Sequence, residues 1–62
     1  MKTEKDIQTR VAEVQETLRV LRAYLQDRLQ LEDWHGVEDA ASDIRDNEAA
    51  LRTLRWMLGT RG

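Results

Sequence analysis

The sequence predicts an all-α fold: an antiparallel two-helix hairpin, coiled-coil-like, assembling into a helical-bundle homo-oligomer. Three observations predict it. Apolar positions recur at alternating steps of four and three in two runs, first Ile7, Val11, Val14, Leu18, Leu21, Leu25 and then Val37, Ala40, Ile44, Asn47, Leu51, Leu54, Leu58, with Asn47 the one polar member. That spacing is the seam of a coiled coil rather than of a strand. One short break at residues 30–36 separates the runs, too short for anything but antiparallel neighbours. Proline is absent, and glycine occurs only as Gly36, Gly59 and Gly62, at the break and the C-terminal end.

At 62 residues the chain has room for one domain, residues 1–62, with helix 1 expected over about 4–30 and helix 2 over about 34–58. Thr3 can cap helix 1, with Asp6 three residues on completing a short version of the capping box. Asp33 is the expected N-cap of helix 2, placing Trp34, His35 and Gly36 in its first turn; a start just after Gly36 is the alternative. Gly59 is the expected C′ residue, followed by a frayed tail of Thr60 to Gly62.

Folding the chain at the break sets Val14 near Leu54, Leu18 near Leu51, Leu25 near Ile44 and Leu29 near Ala40. Leu21 then faces Asn47, where a lone asparagine either fixes register or sits at the seam edge bonded to water. Val20, Tyr24, Leu31, Trp56 and Met57 have no place in that seam. A two-helix hairpin buries one face of each helix, so these residues and Asn47 are the expected oligomer interface. A dimer forming a four-helix bundle is the simplest closed assembly, and higher states remain open. Residues 32–48 carry seven carboxylates against Arg45 alone, while Lys2, Lys5, Arg10, Arg52, Arg55 and Arg61 gather at the open end. Unlike ends then favour head-to-tail packing.

Composition excludes several functions. The net charge is −2, with charged residues of both signs making up 35% of the chain, which argues against general nucleic-acid binding. No apolar run approaches the ~20 residues of a membrane span, and the N-terminus lacks the apolar segment of a signal peptide. The expected location is cytoplasmic, the host cell's cytoplasm if the chain is phage-encoded. Cysteine is absent, and His35 is the only histidine, so no transition-metal site and no cofactor are expected.

Carboxylates were the first candidates for catalysis. Glu13 and Glu16 form E-x-x-E, and Asp43 and Asp46 form D-x-x-D, as in all-α nucleotide pyrophosphohydrolases that hold magnesium. The hairpin separates Glu16 from Asp43 by about 15 Å along its axis, leaving such an enzyme only a remote alternative. Asp39, Asp43 and Asp46 form an acidic stripe, read either as a solvated or partner-facing face or as a hard-cation site. No residue is assigned a catalytic role.

Arginine supplies eight of the ten basic residues, and its planar fork suits phosphate and carboxylate alike. Arg52 and Arg55 flank Trp56, and Arg28 lies one turn from Tyr24. Trp34-His35 stands at the hairpin mouth, either stacking on a planar ligand or capping the core near Leu31. Tyr24, Arg28, Trp34, His35, Arg52, Arg55 and Trp56 are accordingly the candidate ligand-binding residues. An oligomer interface uses the same chemistry.

The stretch from Asp33 to Asp46, continuing through Glu48 and Leu51, resembles a pattern of small uncharacterised bacteriophage proteins, D-W-H-x-V-x-D-A-A-x-D-[IL]-R. The resemblance covers about half the chain and has no activity attached. It implies a non-enzymatic phage or prophage accessory protein, a class that often blunts host immunity. One route is a sponge that sequesters a cyclic nucleotide or ADP-ribose-type signal; the alternative is an interaction protein that binds a host or phage protein.

Overall fold

The computed structural model describes residues 3–59. They form two helices, α1 (Glu4–Gln30) and α2 (Trp34–Gly59), packed against each other as a hairpin. Lys2, Arg61 and the Thr60–Gly62 tail lie outside the described residues. The molecule measures 44 × 18 × 14 Å. With a helix about 10–12 Å across, it is two helices wide and one helix thick.

The seam forms where the four-three spacing puts it. Ile7, Val14, Leu18, Ala40 and Leu51 are buried, Val14 and Leu18 almost completely at 1% and 2% exposure. Val11, Ile44 and Leu54 pack around the Val14–Leu18–Leu51 cluster. Arg22 reaches across to Glu48 at 3.4 Å, confirming the antiparallel register beside that cluster. Asn47 is half-buried, and its Nδ2 donates to the Asp43 carbonyl one turn back at 2.8 Å. Among the described residues its amide makes no bond to α1, so it sits at the seam edge rather than pairing across it.

Both helix starts follow the expected capping chemistry. The Thr3 hydroxyl accepts from the Asp6 N–H, and Asp6 accepts from the Thr3 N–H, each at 3.1 Å. At α2 the Asp33 carboxylate accepts from the Gly36 N–H at 3.1 Å, and its carbonyl accepts from Val37 at 2.9 Å.

The connection turns without a glycine, and Gly36 falls in the first turn of α2, as the expected Asp33 cap places it. α1 ends in a Schellman motif: the Glu32 N–H donates to the Leu29 carbonyl, and the Asp33 N–H to Arg28. The left-handed C′ residue is Glu32, with φ of 55°, and no described glycine has positive φ. Gly36 instead lies buried in the first turn of α2. A Cβ there would stand 2.6 Å from Asp33 Oδ2 and 2.8 Å from Arg28 Cδ. Gly59 is the last helical residue rather than a left-handed C′.

These two positions give substitutions of opposite sign. Glu32→Gly removes the side-chain penalty of the left-handed region and should stabilise by up to about 1 kcal/mol. Gly36→Ala improves helix propensity by a similar amount, yet its Cβ must displace both the capping carboxylate and the Arg28 stem. It should therefore lower the melting temperature. Thermal denaturation of both variants checks the pair; a more stable Gly36→Ala would show that the cap tolerates the shift.

Candidate functional site

The candidate ligand residues divide between two ends of the hairpin. Tyr24, Arg28, Trp34 and His35 cluster at the turn. Arg55 lies 21 residues beyond Trp34 on the same helix, a separation of about 30 Å at 1.5 Å per residue. One chain cannot bring both sets to one small ligand.

At the turn, Arg28 is the organising side chain. Its guanidinium donates to Asp27 at 2.6 Å and to Asp33 at 3.3 Å, and stands 5.2 Å from the Tyr24 ring centroid. That is cation–π range. Its aliphatic stem rests where the missing Gly36 side chain would be. The same packing leaves Nε buried without a hydrogen-bond partner among the described residues, a cost the other guanidinium contacts offset. Asp27 and Asp33 hold Arg28 still more firmly in its charged form. The Gly36 N–H holds the Asp33 carboxyl below the usual carboxylate range; burial opposes it, and the Arg28 guanidinium adds to the lowering.

Trp34 does not cap the core. It is 59% exposed, Leu31 is 62% exposed, and His35 is exposed beside them. As the first residue of α2, Trp34 falls on the helical line of Ala41 and Glu48, which runs beside the seam rather than along it. The Arg28 stem on Gly36 closes that end instead.

Arg52 and Arg55 line a shallow groove of about 340 Å³ between the helices, together with Gln15, Arg22 and Glu48 over a floor of Leu18 and Leu51. Arg22 is spent on Glu48. Neither Arg52 nor Arg55 has an ion-pair partner among the described residues. Trp56 is 68% exposed. Arg19 pairs with Glu16 at 2.6 Å and holds that carboxyl below its usual range. A second groove, of about 510 Å³, lies nearer the open end and is lined by Ile7, Arg10, Glu13, Leu54 and Met57 among others.

Each groove marks one broad face of the layer. From Arg55, seven-residue steps run back through Glu48 and Ala41 to Trp34; from Gln15 they run through Arg22 to Leu29. From Met57 the opposite line runs through Ala50 to Asp46, Asp43 and Asp39; from Glu13 it runs through Val20 and Tyr24 to Leu31. The first face thus carries Arg22, Arg45, Arg52 and Arg55 with Glu38 and Glu48. The second carries Asp6, Glu13, Asp39, Asp43 and Asp46 with Arg10 and, over Tyr24, Arg28. Reading charge along the chain had found a turn end and an open end; the helical lines add a basic face and an acidic one.

The acidic residues do not converge. Among the described residues, no three or more His, Cys, Asp or Glu side chains are grouped so as to hold a metal ion. Glu13 pairs with Arg10 and Glu16 with Arg19, each one turn apart on α1. No described helix is long and apolar enough to cross a membrane. No family model, curated protein or solved structure matches this chain.

The Asp33 cap carries a pH dependence of definite sign. Its folded pKa lies below the unfolded value, so its stabilisation is present above about pH 4 and is lost as pH falls through the folded pKa. Asp33→Asn keeps an oxygen for the Gly36 N–H but cannot titrate. The melting temperature of Asp33→Asn should drop less between pH 7 and pH 3 than that of the wild type. An identical drop would place the acid sensitivity elsewhere.

Proposed function

We propose that this chain is a non-enzymatic, self-associating helical module that acts by binding protein surfaces, its own copies first. The observation carrying the proposal is apolar exposure on a layer one helix thick. Val20, Tyr24, Leu31, Trp34 and Trp56 are between 47% and 68% exposed, while among the described residues only five apolar ones are buried. Stable domains pack at least two layers around a core, and Val20, Tyr24 and Leu31 share one exposed line of α1, the kind of apolar surface that marks an interaction site. A second layer supplied by another copy meets both needs. The phage-like pattern on α2 suggests the setting, an accessory protein that also engages a host or phage protein.

A second reading rests on the arginine-lined groove. With two unpaired guanidinium groups and the Gln15 amide over an apolar floor, it suits a phosphate ester. In that reading the protein sequesters a cyclic nucleotide or ADP-ribose-type signal without altering it.

Light scattering at micromolar concentration should give a mass at least twice that of one chain. Val20→Glu with Tyr24→Glu should reduce it to one chain while leaving the helical circular-dichroism signal intact. A wild-type monomer with a sharp melting transition would overturn the assembly reading. For the second reading, a cognate nucleotide should raise the melting temperature, return intact on denaturation, and lose its effect with Arg55→Ala. No shift across cyclic nucleotides and ADP-ribose derivatives would remove that reading and leave the first standing.

A further inference from the structure

We infer that the copies associate heterologously, the basic face of one hairpin on the acidic face of the next, rather than as a two-fold dimer. This rests on the self-association proposed above and specifies its geometry. The argument begins with unspent charge. Arg52 and Arg55 on one face, and Asp39, Asp43 and Asp46 on the other, have no ion-pair partner among the described residues. Like carboxylates a turn apart repel each other until an opposite charge relieves them.

Symmetry decides between the possible pairings. A two-fold axis sets a surface against itself. Basic face on basic face would set the surface carrying Arg22, Arg45, Arg52 and Arg55 against the same net positive surface of another copy. Acidic face on acidic face would do the same with Glu13, Asp39, Asp43 and Asp46. Basic on acidic joins surfaces of unlike net charge, and like-charge juxtaposition is what excludes wrong partners.

The positions along the axis also match. Asp39 lies five residues past the start of α2, and Arg55 four residues before its end. Turned end for end, one hairpin brings its open-end arginines over its neighbour's turn-end aspartates. Apolar residues lie on both faces, with Leu29 and Trp34 on one and Val20, Tyr24 and Leu31 on the other. A face of 44 × 18 Å offers roughly 800 Å² per partner, the size of a standard specific interface. Each copy keeps one unused face after its first contact, so assembly continues until it closes as a ring or extends as an array.

Charge reversal on one face at a time tests this. Arg52→Glu with Arg55→Glu disables the basic face; Asp39→Arg with Asp43→Arg disables the acidic one. All four residues are exposed, and circular dichroism should confirm that both variants remain helical. Neutral versions, Arg52→Gln with Arg55→Gln and Asp39→Asn with Asp43→Asn, stand in should a reversed variant not fold. By light scattering, wild type should exceed two chains, and each variant alone should have the mass of one. An equimolar mixture of the two variants should regain assembly, since the intact acidic face of one meets the intact basic face of the other and the two reversed faces are again of unlike charge. Three results would overturn the inference: a wild type that stops at two chains, one variant that still self-associates, or a mixture that stays monomeric. A monomeric wild type would instead remove the self-association beneath it.

Discussion

Val14 and Leu18 of α1 close on Leu51 of α2, and almost every other feature depends on that contact being one residue deep. Two helices share a single line of contact, so each hides one stripe and leaves the rest of its circumference wet. Burying a leucine contributes roughly 1.5–3 kcal/mol, while ordering each residue costs about 1–2 kcal/mol. The five buried apolar side chains among the described residues cannot carry a chain of this length far from the balance point. The thinness of the core is therefore an argument about assembly as well as about stability.

A short core magnifies the turn, because the register of the seam is set there. The Schellman motif ends α1, Asp33 starts α2, and only Glu32 intervenes in a left-handed conformation that ordinarily favours glycine. Gly36 is needed for a different reason. It lets the Arg28 stem and the Asp33 carboxylate lie against the first turn of α2. Arg28 then joins Tyr24, Asp27 and Asp33 in one junction. Arginine here is a structural clamp, and its place among candidate ligand residues reflects how alike an interface and a phosphate site look in sequence.

What was legible in the sequence follows from what is local. The seam could be read because four-three spacing is a property of one helix at a time. The Thr3 and Asp33 caps could be read because a capping side chain reaches only three residues ahead. Whether Trp34 caps the core or faces a ligand stayed open in the sequence, because its exposure depends on where α1 lies rather than on its neighbour Leu31. Glu32 gave no signal at all: nothing in its chemistry announces a left-handed residue. The split into a basic and an acidic face was hidden for a related reason. It emerges only when two helical lines, one from each helix, are laid side by side, and a net charge of −2 conceals it.

That split connects the two functional readings through the same atoms. A neighbouring hairpin offers carboxylates to Arg52 and Arg55; a phosphate ester offers oxygens to the same guanidinium groups. Each satisfies the planar fork, and neither can occupy it while the other does. On the two readings proposed above, binding and assembly would be linked by mass action: an anion seated in the groove would withdraw chains from the assembly, and assembly would raise the concentration of anion needed. Aromatic exposure adds an asymmetry to that competition. A second copy covers Leu29 and Trp34 along with the arginines, whereas an inorganic anion covers only the charges. Apolar burial therefore tilts the contest toward the neighbour, and an anion that displaces it needs a planar group large enough to replace that burial.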